Sequence, residues 1–303
     1  GITQGIGTGG RDLKKEIGGI MYLDGLKALQ ADPDTKVILL VSKPPAPEMA
    51  RMVMDQVAKS SKPTVVCLLG GDTRSVEAPK HVHVVNTLEE AGLLAARLAG
   101  AKIPEPKELI ARETEEIKTL AKSLKPKLKA EQKYLRGLFS GGTLCYESQV
   151  IWRDEFEIEV TSNAPLDKKF QMKDSLKSEK NCCVDLGEEE FTVGRPHPMI
   201  DNDLRVRRLL SEGKDPSVAV ILLDVVIGYG AHPDPAAELG DAIRKAQTAA
   251  KAEGREIIFV ASVTGTEGDP QNLTRTTQTL KAAGVHVCNS NAAASRLAAL
   301  LVA

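Results

Sequence analysis

The chain has 303 residues, 42% hydrophobic and 27% charged, with a formal net charge of −1. This length suits two domains, each able to bury its own core, and the balance is that of an ordinary globular protein with no electrostatic footprint for nucleic acid or a membrane surface. The longest apolar runs are strand-length, no secretory signal is expected, and the scattered Cys67, Cys145, Cys182, Cys183 and Cys288 lack C-x-x-C spacing, so reduced thiols in a cytoplasmic setting are expected rather than a disulfide framework or a metal site.

The chain starts at Gly1 rather than Met, so it is expected to be a piece of a longer protein. A strand is expected around 2–7, running into GIGTGGRD at residues 5–12, which is half glycine, and then a helix around 12–31. Strand 36–42, helix 47–60, strand 64–69, strand 82–85 and helix 87–99 follow. Residues 104–133 are charge-rich, with Ile110, Ile117, Leu120 and Leu124 on one face at helical spacing. This run reads as a solvated connecting helix ended or kinked by Pro126. Beyond it come strand 135–139, helix 143–153, strand 182–186, helix 202–212, strand 218–225, helix 235–252, strand 256–262, helix 271–282, strand 285–288 and helix 291–302.

The chain repeats itself. DPDTKVILLV at residue 32 returns as DPSVAVILLD at 215, and VHVVN at 82 returns as VHVCN at 285, each of the latter followed by an alanine-rich helix. The core strands are continuous apolar runs, so both of their faces must be covered, as in a parallel sheet wrapped by helices. The expected fold is α/β: two tandem flavodoxin-like doubly wound domains at 1–100 and 134–303, joined by a helical linker at 101–133.

Gly5, Gly7 and Gly10 match G-x-G-x-x-G, but the next strand ends Ser42-Lys43-Pro44-Pro45 without the acid that holds a ribose, so a dinucleotide site is rejected. No G-x-x-x-x-G-K-[ST] loop occurs either. What remains is a glycine turn feeding a helix N-terminus, where free amides and the dipole favour an anion. Gly7, Thr8, Gly9, Gly10 and Arg11 are candidates on that reading; the alternative is a plain turn with Arg11 solvated. In the second copy Ser140, Gly141 and Gly142, then Gly228, Tyr229, Gly230 and His232, then Gly265 and Thr266 all fall at strand carboxyl ends, and the recurrence favours an anion site, held from opposite sides by two helix N-termini if the two copies face each other. Asp234 is placed to cap the helix beginning at Pro235. His83 and His286 share a repeat position inside strands and read as packing residues, with His81 beside them; His197, in GRPHP, is a loop residue with no evident partner. Residues 187–190, GEEE, read as a solvated loop, while Asp185 and Asp224 end core strands and are expected to hold neighbouring loops. No catalytic residue is assigned.

The combination IGTGGRD, DPDTKVILLV and KPTVVCLLGG, then RGLFSGGTLCYE, VDLGEEEFTVGRPHPMIDNDLR and DVVIGYGAHPDP, resembles the FdrA family, whose members look like a fused succinyl-CoA synthetase. The resemblance implies a first domain similar to the alpha-subunit ligase domain and a second similar to the carboxyl-terminal domain of the beta subunit. It implies two helices aimed at a phosphorylated histidine, one after the turn at residues 7–12 and one after the turn at 228–232. The synthetases carry that histidine in a glycine-rich loop after the strand matching VVCLLGG; here GGDTRSVEAPKHVHVV runs straight to the next strand, so the histidine relay is expected to be lost. On the resemblance, the family's CoA-binding domain would precede Gly1 and the nucleotide-grasping domain has no counterpart in these residues, so this chain is expected to hold no cofactor of its own and CoA would belong to the full-length parent. The resemblance further implies that the cradle binds phosphate or an acyl phosphate and takes part in carbamoyl transfer to oxamate, with partner protein subunits or as a homo-oligomer; the alternative is a non-catalytic scaffold that keeps the inherited fold.

Overall fold

The computed structural model describes residues 2–70 and 78–303, which form two compact units, 1–111 and 112–303. In the first, helix α1 (Ile20–Ala31) precedes strand β1 (Ile38–Ser42), helix α2 (Pro47–Val57), strands β2 (Thr64–Leu68) and β3 (Val82–Val84), and helix α3 (Leu88–Leu98). The three strands pair in parallel in the order β1-β2-β3. Ile38, Leu40, Val66 and Leu68 pack one face of this sheet against Leu26 of α1 and Met49, Val53 and Val57 of α2.

The strand expected around 2–7 does not form, and residues 10–17 make turns instead of starting a helix. Gly18 and Gly19 take φ of 83° and 70°, a left-handed pair that a right-handed helix cannot pass through, so α1 begins only after them. The buried Asp12 carboxylate accepts the amides of Met21 at 3.1 Å and Tyr22 at 2.8 Å, capping that helix from a distance. The shortened loop after β2 falls largely on residues 71–77, outside the described residues.

Helix α4 (Pro106–Leu124) leads into the second unit. It was expected to be solvated, but Ile117, Ala121 and Leu124 are buried in the same core as Leu135, Trp152 and Leu297. Burying a side chain of leucine or isoleucine size stabilises by roughly 1.5–3 kcal/mol, enough to dock the helix although its other face is charged. The remaining elements are β4 (Tyr134–Phe139), α5 (Gly142–Phe156), β5 (Thr161–Ser162), β6 (Cys182–Asp185), α6 (Glu189–Thr192), α7 (Asp203–Glu212), β7 (Val218–Val226), α8 (Pro235–Ala252), β8 (Ile258–Thr264), α9 (Leu273–Ala282), β9 (Val285–Cys288) and α10 (Asn291–Val302).

Six parallel strands pair in the order β5-β6-β4-β7-β8-β9. Along β7, Ile221, Leu223 and Val225 enter the core under α7, α8 and α9, whereas Val220 and Leu222 enter the core under α4, α5 and α10. The run VAVILLDVV is therefore apolar on both faces because helices cover both. The doubly wound α/β architecture is as expected, and the sequence repeat has a structural counterpart: β3 and β9 are both edge strands, and the helices after them are capped alike, by Thr87 on the Glu90 amide and by Ser290 on the Ala293 amide. None of the described helices is long and apolar enough to cross a membrane.

Candidate functional site

In the second sheet β5 and β6 lie on one side of β4, and β7, β8 and β9 follow on the other, so the chain switches sides between β4 and β7. Ligands of open α/β sheets bind outside the strand carboxyl ends at such a reversal. The turn after β4 holds Ser140, Gly141 and Gly142. Asp224, fully buried near the end of β7, accepts the Ser140 amide at 2.8 Å, the Ser140 hydroxyl at 3.0 Å and the Gly141 amide at 2.7 Å. The protein's own carboxylate thus stands where an external anion was expected to meet Ser140 and Gly141, and Asp224 holds a neighbouring loop as anticipated. Arg205 of α7, also buried, lies 3.2 Å from Asp224 Oδ1 and donates to the Asp224 carbonyl. Burial lowers the Arg205 pKa, and the Asp224 charge opposes that fall. The first-turn amides of α5 at Gly142, Thr143 and Leu144 precede the first helical hydrogen bond and remain as donors.

The loop after β7 carries Gly228, Tyr229, Gly230 and His232. Gln271 clamps it: the Gly228 amide donates to Gln271 Oε1 at 3.1 Å, and Gln271 Nε2 donates to the Gly228 and His232 carbonyls, both at 2.9 Å. The His232 ring, a candidate anion ligand, has both nitrogens engaged. Nδ1 accepts the Asp234 amide at 3.1 Å, and Nε2 lies 3.3 Å from Glu238 Oε2. His232 therefore braces the start of α8, while Asp234 caps that helix through the Ala237 amide at 3.2 Å. Tyr229, at the tip, is 88% exposed. After β8, Asp269 Oδ2 accepts both the amide and the hydroxyl of Thr266, at 2.6 and 3.1 Å. Gly265 serves packing: a Cβ there would stand 2.1 Å from Ile227 Cγ1.

The structure thus places the sequence-predicted residues of the second unit at the carboxyl ends of β4, β7 and β8, and gives each turn an internal partner, Asp224 after β4, Gln271 after β7 and Asp269 after β8. Gly7, Thr8, Gly9, Gly10 and Arg11 belong to the first unit and, because the helix expected at 12 starts at Ile20, they do not form a helix N-terminus.

One residue escaped the sequence reading. His197 was assigned no partner, yet its Nε2 lies 2.7 Å from the point where a Cβ on Gly187 would stand, a point also 2.9 Å from the Ser140 carbonyl oxygen and 3.2 Å from Asp185 Oδ1. Its Nδ1 accepts the Met199 amide at 3.2 Å. Burial lowers its pKa below the usual imidazole value, with Asp224 acting in the opposite direction. The only signal in the sequence was rigidity, two prolines flanking one histidine in GRPHP. The groups around it come from the ends of β4, β6 and β7 and are not adjacent in the chain.

A family model described as CoA-ligase matches residues 138–301, which begin inside β4 and end inside α10. The chain is 41% identical over 295 residues to the uncharacterized protein YahF of Escherichia coli (strain K12), covering 96% of this chain and 55% of that protein. The apo form of a dinucleotide-forming acetyl-coenzyme A synthetase 1 from Ca. Korarchaeum cryptofilum superposes with a TM-score of 0.41 and 18% identity, over 92% of this chain and 55% of that one. PH0766 from Pyrococcus horikoshii OT3 gives a TM-score of 0.35 and 14% identity, over 93% and 55%. The chain spans about half the length of the relatives it matches.

Proposed function

Because the chain belongs to the CoA-ligase family, we propose that it is the ligase portion of an FdrA-like acyl-CoA synthetase relative, binding phosphate or an acyl phosphate at the β4–β7 crevice and working with partner subunits. The observation that carries this reading is the coincidence of a topological switch point with two glycine turns, at 140–142 and 228–230, inside the segment that matches the family. Amides at the start of α5 and in the loop after β7 would meet the phosphoryl oxygens, preorganised by the Asp224 and Gln271 clamps. The phosphohistidine relay of the synthetases is not part of the proposal. His232 is committed to α8, and His83 and His286 lie within β3 and β9. The acyl group would pass directly from the bound acyl phosphate to its acceptor, the acceptor nitrogen bonding to the carbonyl carbon as the carbon–oxygen bond to phosphate breaks and inorganic phosphate and a proton leave, with carbamoyl phosphate and oxamate as the pair the FdrA resemblance points to.

Calorimetric titration with inorganic phosphate, acetyl phosphate and carbamoyl phosphate tests the binding step. Saturable binding of one of them supports the reading, and no heat from any of the three at millimolar concentration removes it. A second reading, a non-catalytic assembly subunit, is favoured by one observation: Asp224, Asp234 and Asp269 already satisfy donors at the turns in question. Absence of anion binding, with tight association to a partner protein, would decide for it.

A further inference from the structure

His197 and His232 each accept a main-chain amide at Nδ1, but the His232 Nε2 is already engaged by Glu238, which leaves His197 as the histidine to consider. Its backbone is fixed first. Pro196 and the buried Pro198 flank it, and the amides of Ile200 and Asp201 both donate to its carbonyl, at 2.8 and 3.1 Å. Its tautomer is fixed next. A main-chain amide is only a donor, so the Met199 N–H at 3.2 Å requires a lone pair on Nδ1, and in the neutral ring the proton then sits on Nε2. Among the described residues no hydrogen bond uses that Nε2 proton.

The groups facing the ring are acidic but largely committed. Asp224, from β7, receives the Ser140 and Gly141 amides and pairs with Arg205. Asp185, at the end of β6, accepts the Gly187 amide at 3.0 Å. Gly187 has no side chain because there is no room for one: a Cβ would meet His197 Nε2 and the Ser140 carbonyl within 3 Å. A neutral imidazole held this way donates one hydrogen bond. It has no positive charge with which to favour a phosphoryl oxygen over any other acceptor, and a protonated Nε2 has no lone pair with which to attack phosphorus. What it suits is a neutral carbonyl oxygen that gains negative charge as it reacts.

We propose that His197 faces the substrate and donates its Nε2–H to the carbonyl oxygen of an acyl phosphate, so that it distinguishes acyl phosphate from bare phosphate. The inference rests on the reading of the crevice as an acyl-phosphate site.

The test compares acetyl phosphate with inorganic phosphate on the full chain, as wild type, His197→Ala and His197→Gln, with Trp152 fluorescence confirming that each is folded. Wild type should prefer acetyl phosphate. His197→Ala should lower the ratio of the two affinities roughly tenfold, the upper end for one neutral hydrogen bond, and His197→Gln, which restores an N–H, should recover part of it. Nitrogen-15 NMR of the unliganded chain should show His197 protonated on Nε2. A proton on Nδ1, or phosphate binding with a ratio that His197→Ala leaves unchanged, overturns the role of His197 and leaves the anion site standing. Failure of wild type to bind either ligand removes the site reading and this inference together.

Discussion

Asp224→Ala tests whether the crevice is held by an internal carboxylate. The substitution removes the acceptor of three hydrogen bonds, from the Ser140 amide, the Ser140 hydroxyl and the Gly141 amide. It also leaves the guanidinium of Arg205, 2% exposed, without its carboxylate. Removing one partner of a buried pair costs about 3–5 kcal/mol, mostly because the other charge is stranded. Asp224→Asn keeps the shape and one acceptor but points an amide NH2 at a donor, so about 1–3 kcal/mol is expected. The double variant Asp224→Ala, Arg205→Met should be more stable than Asp224→Ala alone, because the stranded charge is gone. The chain has one tryptophan, Trp152, fully buried in the second unit, so its fluorescence during urea unfolding follows that unit specifically. A second arm uses the vacated amides: phosphate or formate should stabilise Asp224→Ala by about 2.7 kcal/mol at a hundredfold excess over its dissociation constant, and wild type by less. A variant within about 0.5 kcal/mol of wild type, the ordinary range for unimportant surface changes, with no response to anions, would refute the reasoning.

Acidification should destabilise the second unit. Burial holds both His197 and His286 below the ordinary imidazole pKa, so as pH falls through about 6.5 the unfolded chain takes up protons that the folded one does not. Replacing both by glutamine should flatten the dependence of the urea midpoint between pH 7.5 and 5.5, and an unaltered slope would contradict it. Gly265→Ala should destabilise the same unit by about 1–3 kcal/mol, the usual cost of overpacking, because its Cβ would stand 2.1 Å from Ile227 Cγ1; thermal unfolding followed by Trp152 reads this. Incubation with labelled ATP should leave no acid-labile phosphate on the chain, and a stoichiometric label would restore the histidine relay.

The strands and helices of the second unit were legible because their apolar runs have one meaning. VAVILLDVV is too long and too uniformly apolar to be a half-exposed strand, and it proved to be the central β7, covered on both faces. Edge features were not legible. The two-residue β5 pairs with β6 through Thr161 and Ser162, whose side chains carry no apolar pattern. The beginning of the chain misled for a definite reason. GIGTGGRDLKKEIGG offers two glycine clusters, and helix periodicity alone could not tell that the second, Gly18 and Gly19, would be the one that sets the start of α1.

The site was harder for a reason that concerns anion-binding turns in general. A glycine-rich turn before a helix exposes amides, and the same amides accept an internal carboxylate as readily as an external phosphate. Local competitors can be read from sequence. Asp234 directly precedes Pro235 and caps α8, and Asp269 lies three residues from Thr266. A distant competitor cannot be read: Asp224 is 84 residues from Ser140 and reaches it only because the sheet sets β4 beside β7. The glycine turns do lie at strand carboxyl ends, but their pattern overstates how many donors those turns offer. The anion site proposed above therefore draws on what the internal acids leave over, the first turn of α5 and the loop around Tyr229, and a ligand that needs few amides suits it better than one that needs many.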